Sequence, residues 1–398
     1  MIPRGPLLLW IFRLLVIATG GSGVLCANAA HLQAQPQTHP RVNPQAHTQT
    51  NSQTHPQANL SSKTAANPTG WNIPVLCYHT FYHGTSSRTP GPLDETYEGF
   101  EDMLHYLREN GFHSFLPDSG PLQGKPDPQK VIITFDDGHV SQLRAAELLE
   151  KYDMRGIFFV IPSRIDDPGY AHMTSRQLAK LTERGHLVAA HGHRHKSMPV
   201  SGSEIIATLD TVPDILKTIP GISEDDLHSI AYPYGHYSPA VRTAMLPQYP
   251  LQYTVNPGYW DGRSTLIPRI LIASGTDRKF YYDYLKGAFA ASKLLTMQEE
   301  SGSRQSVVHF NNPKELDPDS LYIQATSPDG SGHHYSVFSA APFLTSKNGV
   351  LVFDITDYLE THHSADRRAL SFVVSQRGNG KMRYVSDGYL VWVSRTDW

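Results

Sequence analysis

From Trp71 onward the chain alternates between two hydrophobic periods. Short apolar or β-branched runs at 73–78, 131–135, 156–161, 187–190, 228–232, 251–255 and 266–273 read as strands. Between them lie stretches at helical spacing. Phe100, Met103, Leu104 and Leu107 share one helical face, and further helices are predicted near 140–152, 174–184, 203–218 and 277–296, the third of these broken at Pro213. Strand and helix in strict alternation predict parallel strands joined by crossover helices, closed or nearly closed into a barrel, with chemistry where strands end and loops begin.

The period changes after the last helix. A polar stretch, Gln298 to Arg304 with Ser-Gly-Ser inside it, marks a boundary. Beyond it come short strands at 307–310, 321–325, 350–355, 370–375 and 388–393, the last two joined by the Gly-Asn-Gly turn at 378–380. Residues 305–398 are therefore expected to form a small all-β module, a sandwich, appended to a barrel domain over 71–297.

Upstream of Trp71 the pattern is neither. Residues 1–29 carry Arg4, an apolar stretch from Leu7 to Ile17 interrupted by Arg13, and Ala27-Asn28-Ala29, which together fit a cleavable signal peptide and predict a secreted, periplasmic or cell-surface protein. An uncleaved membrane anchor is the alternative, against which the arginine and the Gly20 to Gly23 run leave the apolar core short for a membrane span. Residues 30–70 are a Gln-, Pro-, Thr- and His-rich tether, with histidines at 31, 39, 47 and 55, and too few apolar residues to fold. Asn59-Leu60-Ser61 is a glycosylation sequon by pattern.

Composition narrows the function. With 34 basic against 37 acidic residues the chain has a formal net charge of −3, so it carries no basic footprint for nucleic acid. Of its two cysteines, Cys26 would leave with the signal. That leaves Cys77 in an apolar run, read as a small buried residue with no chemical role and no internal disulfide.

Chemistry concentrates in two places. Thr134-Phe135-Asp136-Asp137-Gly138 puts adjacent carboxylates at the end of the apolar run Val131 to Ile133. Side chains alternate across a strand, so Asp136 and Asp137 converge on one site only if the strand ends there, and Gly138 permits the turn that this needs. The second place is His191-Gly192-His193-Arg194-His195, directly after the strand Leu187 to Ala190. On a helical turn the four-residue spacing sets His191 and His195 on one side, with Asp137 as the third ligand of a metal site that keeps an open position. His193 is expected to point away.

These residues resemble those of the carbohydrate esterase family 4, the NodB-type polysaccharide deacetylases. Thr134 to Gly138 is similar to that family's first motif, His191 with His195 to its metal-binding pair, and Ala231-Tyr232-Pro233-Tyr234-Gly235 to its third, although Ala231 stands where many members have arginine. The resemblance covers roughly residues 71–275. No Leu-x-His follows residue 235 within the barrel; Leu76-Cys77-Tyr78-His79 stands on the first strand instead, an order similar to circularly permuted deacetylases of poly-β-1,6-N-acetylglucosamine. Leu266-Ile267-Pro268-Arg269-Ile270 adds to that similarity.

The resemblance implies a distorted (β/α) barrel and metal-dependent removal of acetyl groups from N-acetylglucosamine residues. The implied metal is divalent: zinc, with cobalt or nickel as alternatives. Asp136 is then the general base and His79 the general acid, with His83 its local competitor. The Tyr234 backbone N–H is implied to cradle the oxyanion. Tyr232, Tyr234, Tyr237 and Trp260 are read either as a stacking surface for sugar rings or as core. Chitin or peptidoglycan are the alternative substrates, and a non-catalytic glycan-binding envelope protein the alternative function. The C-terminal module weakly resembles β-sandwiches of secreted carbohydrate-active proteins, through 352–358 and the Tyr384 to Trp392 stretch, so it is read as a glycan or envelope contact or as a spacer.

Overall fold

Eight short strands make the sheet that the alternation predicts. They are β1 (Val75–Tyr78), β2 (Lys130–Phe135), β3 (Ile157–Val160), β4 (Leu187–Ala190), β5 (Ser229–Ala231), β6 (Leu251–Tyr253), β7 (Leu266–Ile267) and β8 (Ile270–Leu271). A computed structural model describes residues 70–87, 89–118, 120–196, 203–272, 274–287, 295–298, 307–329, 332–355, 358, 369–378 and 381–392. The expected signal peptide at 1–29 and, except for Gly70, the expected tether at 30–70 lie outside the described residues.

Every pairing along this sheet is parallel, in the order β7-β6-β5-β4-β3-β2-β1-β8, with the two-residue strand His113–Ser114 added beside β2. The run predicted as one strand at 266–273 is two. Pro268 lacks the N–H a ladder needs, so the chain leaves the sheet at its β7 edge and rejoins it at its β8 edge two residues later. Pro268 and Arg269 thus link the two edges of the sheet across the gap that leaves the barrel unclosed, and Arg269 sits in that seam.

Period-2 alternation sorts the strands' two faces. Val75, Ile132, Ile157, Phe159, Ala189, Ala231, Leu251, Tyr253 and Ile267 form one buried cluster, the barrel interior. Their neighbours Leu76, Ile133, Phe158, Val188 and Ile230 pack outward with the helices. The first helix, Tyr97–Glu109, is capped by Thr96, whose side chain accepts from Gly99 N–H at 2.9 Å, and it buries Phe100, Met103, Leu104 and Leu107 as predicted. The third, Ser175–Glu183, starts with a capping box between Thr174 and Gln177. The break expected at Pro213 falls one turn position earlier, between helices Ser203–Asp210 and Val212–Leu216, because proline fits the first turn of the second helix.

Two boundary expectations are corrected. The helix predicted over 277–296 is described over Arg278–Leu285; residues 288–294 lie outside the described residues, and Thr296–Met297 is a strand. That strand pairs antiparallel with Phe310 and Asn311, and Leu295 and Met297 belong to the C-terminal core, so the module begins before the predicted 305. The Leu-Thr-Met alternation has period 2, which the helical pattern upstream masks.

The module is a sandwich of two four-stranded antiparallel sheets. One contains Val307–Asn311, Leu344–Lys347 and Val350–Asp354 with the 296–297 strand; the other contains Leu321–Asp329, Gly332–Ser339, Ala369–Gly378 and Lys381–Trp392. Phe310 and Phe353 of the first sheet meet Phe372 of the second edge-on, at ring separations of 6.0 and 5.2 Å.

Trp260 belongs to this scaffold, not to a sugar surface. Its backbone exchanges two 2.9 Å hydrogen bonds with Ile73, just before the N-terminal end of β1, and its indole N–H donates to the Ser264 carbonyl. At 1 % exposure it offers no face for stacking. Trp260→Ala is expected to lower unfolding stability by about 3–5 kcal/mol, measured by chemical denaturation, with divalent-metal affinity unchanged.

Candidate functional site: a carboxylate and histidine cluster at the strand ends

Four chemically significant residues each stand one position past a strand. His79 follows β1, Asp136 follows β2, His191 follows β4 and Tyr232 follows β5. Parity then aims three of them. His79 continues the inward series Val75 and Cys77, Asp136 continues Ile132 and Thr134, and His191 continues Ala189. Asp137 has the wrong parity. It returns to the site because the chain turns there, with φ of 75° at Asp137 and 73° at Gly138. A side chain on Gly138 would also meet Val160 Cγ1 at 3.0 Å.

His191 is buried, and a single contact decides its tautomer. Its Nδ1 lies 2.9 Å from the Ala231 carbonyl, which can only accept, so Nδ1 carries the proton and Nε2 turns a lone pair into the cluster. Ala231 thereby contributes through its backbone at the position where the resemblance lacks an arginine. His195 is reached through a turn rather than a helix and has φ of 52°. Tyr234, whose ring lies 4.5 Å from that of His195, has φ of 61°. Left-handed backbone at a histidine and a tyrosine costs about 1–3 kcal/mol each and persists where the surroundings over-determine it.

Asp137, His191 and His195 converge as a ligand set. Asp137 Oδ1 stands 3.4 Å from His191 Nε2 and 3.2 Å from His195 Nε2. Yet that oxygen is buried without a hydrogen-bond partner. A tetrahedral ion with bonds of about 2.0–2.1 Å separates its ligand atoms by about 3.3–3.4 Å, so the spacing of the trio fits a divalent cation. The same three residues group as possible metal ligands, their ligand atoms all within 4.8 Å of one another. His193 stays out of the group, its carbonyl accepting from Ser163 N–H.

Asp136 has a different partner, which the sequence reading left without a role. Arg269, fully buried in the seam between β7 and β8, grips both Asp136 oxygens, Nη1 to Oδ1 at 2.6 Å and Nη2 to Oδ2 at 2.7 Å. Two further donors bond Thr134 Oγ1 at 3.1 Å and the Thr254 carbonyl at 2.8 Å. Burial alone would raise the Asp136 carboxyl; the Arg269 guanidinium overrides it and, with His191, holds the carboxyl down at about 2. Asp136 is therefore ionised throughout the neutral range. The guanidinium reaches the carboxylate across 133 residues, from a strand edge rather than from the third motif. A buried arginine between Ile267 and Ile270, in a chain with Ala231 at the motif position, was the available signal.

His79 sits beside Asp136. One of its ring nitrogens, an Asp136 carboxylate oxygen and the Cys77 sulfur lie within 4.8 Å of one another. Its Nδ1 is buried without a hydrogen-bond partner. Burial lowers its pKa, against the raising pull of Asp136 and Asp137, so in the resting site the ring is neutral at pH 7. His83 is exposed and pairs with Glu98 at 3.4 Å, apart from this cluster. Cys77 is buried, and burial pushes its thiol well up, consistent with an inert side chain.

The aromatic expectation is corrected except at one residue. Tyr232 is buried, donates its hydroxyl to Gln252 Oε1 at 2.8 Å and stacks on the buried Tyr237, so both are core; Pro233 is buried at the start of the turn. Tyr234 alone faces outward, 37 % exposed, beside His195.

At the strand ends of a parallel α/β barrel, an aspartate-histidine-histidine trio beside an arginine-held carboxylate forms a donor set suited to a divalent cation. Residues 123–252 match the family model described as polysaccharide deacetylase, a span that includes Asp136, Asp137, His191, His195 and Tyr234 and excludes His79 and Arg269. This part of the barrel is thus similar to the polysaccharide deacetylase family. YxkH of Bacillus subtilis (strain 168), whose description places it among polysaccharide deacetylases, is 27% identical over 192 residues, 47% of this chain and 65% of its own length. The chain therefore spans about two thirds of that relative. Among solved structures, the Streptococcus pyogenes deacetylase PplD in complex with acetate is 20% identical with a TM-score of 0.47, over 54% of this chain and 98% of its own. IcaB from Ammonifex degensii is 23% identical with a TM-score of 0.45, over 55% of this chain and 98% of its own.

Proposed function

We propose that the protein is an exported, metal-dependent N-deacetylase that removes acetyl groups from N-acetylglucosamine residues of an extracellular polysaccharide, releasing acetate. The observation that carries this reading is the convergence of Asp137, His191 and His195 on one point beside an ionised, arginine-held Asp136. Bound by that trio, a divalent ion such as zinc, cobalt or nickel would supply Lewis acidity toward water and the acetamide carbonyl. Asp136 takes the proton of the attacking water. Held at about 2 it is always available, at some loss of proton-transfer driving force, so the firmness of the Arg269 grip sets its strength as a base. His79, neutral at rest, receives the proton that Asp136 has taken from the water and delivers it to the amide nitrogen as the C–N bond breaks, because an amide anion could not leave. Tyr234 N–H is the proposed donor to the oxyanion.

The favoured substrate is poly-β-1,6-N-acetylglucosamine, and the favoured subfamily is the circularly permuted one. Support comes from the sequence order that puts His79 just past β1 and from Ala231 in place of the motif arginine. Export rests on the N-terminal pattern alone.

The test is acetate release from poly-β-1,6-N-acetylglucosamine, chitin oligomers and peptidoglycan by the metal-loaded full chain. Asp136→Asn is expected to keep the metal and lose at least about 100-fold in kcat. His79→Ala should lower kcat in the same range with the metal retained. If the loaded protein binds an acetylated glycan and frees no acetate from any of the three, it is a glycan-binding protein instead.

A further inference from the structure

Around residues 371–374 and 389–391, two strands of the second sheet of the sandwich are buried on both faces. Phe372, Val374, Tyr389 and Val391 point into the sandwich core, while Val373 and Leu390, of opposite parity, belong to the barrel's hydrophobic cluster. A register shift between Val373 and Ser375 interrupts the ladder there, and the Val374 N–H is satisfied by Ser386 Oγ at 2.9 Å. Two contacts on that barrel-facing side reach one loop. Ser371 Oγ donates to Asn256 Oδ1 at 2.6 Å, with both residues buried. Gly388 lies so close to the loop that an added Cβ would stand 2.5 Å from the Pro257 carbonyl oxygen, 2.9 Å from Pro257 N and 3.0 Å from Asn256 Cβ. No larger residue fits there without moving backbone.

The loop so gripped is the mount of Arg269. The Asn256 carbonyl accepts the Arg269 backbone N–H at 3.1 Å, and the Asn256 N–H in turn donates to Thr254 Oγ1 at 3.2 Å. The Thr254 carbonyl accepts Arg269 Nε at 2.8 Å. Both the backbone and the side chain of Arg269 are thus anchored on residues 254–256, and its two remaining nitrogens hold Asp136.

We propose that the C-terminal sandwich is a positioning element of the deacetylase site: through Ser371 and Gly388 it fixes the 254–257 loop, and through that loop the placement of Arg269 on Asp136. The module then serves the chemistry directly, in addition to any glycan contact on its outer surface. A carboxylate that must meet a proton within a fraction of an ångström needs such support, since a shift of about 1 Å costs about 100-fold in rate. The kinetic half of this inference rests on the role proposed above for Asp136.

The experiment compares Ser371→Ala and Gly388→Ala with Phe353→Leu, a sandwich-core change on the sheet away from the barrel. In the full-length, metal-loaded protein the first two are expected to lower kcat by about tenfold to a hundredfold with KM changed less than about threefold. Amide exchange in peptides covering 254–270 should quicken in both. Phe353→Leu should lower the melting temperature with kcat and that exchange unchanged. Wild-type kcat and exchange in Ser371→Ala and Gly388→Ala would overturn the proposal, as would an equal kcat loss in Phe353→Leu. If the wild type frees no acetate from any glycan, the deacetylase reading fails by itself, and the exchange comparison still decides whether the sandwich holds the Arg269 loop.

Discussion

Arg269→Ala is expected to destabilise the protein by about 3–5 kcal/mol and to abolish measurable acetate release. The cost arises because Asp136, 2 % exposed, would keep its charge without a cation or be forced to protonate. The sign of the pH dependence should invert with it. In the wild type the Asp136 carboxyl is held at about 2, below the ordinary carboxylate value of 3.8, so its contribution to stability is complete above that value and is lost as pH falls through about 2. Without the guanidinium, burial raises the carboxyl. The variant should then be favoured at acid pH and lose stability as pH rises past the usual carboxylate range. Urea denaturation from pH 3 to 8 reads both effects. Arg269→Lys should recover part of the stability and little of the kcat, because a lysine cannot grip both oxygens in a planar fork. A loss under about 1 kcal/mol in Arg269→Ala would show that the pair contributes little.

His195→Ala is the second large effect expected. Loss of an outer partner to a metal ligand costs about 10–100-fold in affinity, so loss of a ligand itself should exceed about 100-fold. His195 is also held at φ of 52°, a conformation an alanine adopts no more readily, so the turn gains nothing from the change. Competition with a chromogenic chelator measures the affinity, and acetate release should fall with it at limiting metal. An active His195→Ala protein with wild-type metal affinity would remove His195 from the ligand set.

Much of this site was legible because its residues lie where simple parity puts them. A strand ending at Phe135 sends Asp136 inward by alternation, and the Asp-Gly pair that follows turns Asp137 back beside it. His191 is legible in the same way, one step past Ala190. The spacing argument sets His195 beside the site on a helical turn, whereas a turn with a left-handed residue, not a helix, brings it to Asp137. Arg269 was not legible as a partner of Asp136. Its position depends on a proline splitting one predicted strand across the two edges of the sheet, which is a property of closure and not of local pattern. Tyr232 and Trp260 stay open between two readings in the sequence because an aromatic near a motif has the same composition whether it faces sugar or core, and their buried hydrogen bonds decide for core. The start of the sandwich was obscured for a similar reason: a two-residue strand, Thr296–Met297, is too short to announce a change of period.

On the proposed mechanism, deacetylation requires a cation held by Asp137, His191 and His195. Stripping the full chain with a chelator and titrating zinc back, with acetate release from poly-β-1,6-N-acetylglucosamine as the readout, tests it most directly. The predicted result is no release from the stripped protein and a linear rise to a plateau at about one equivalent of metal. Full release by the stripped protein, with no response to added zinc, cobalt or nickel, would contradict it.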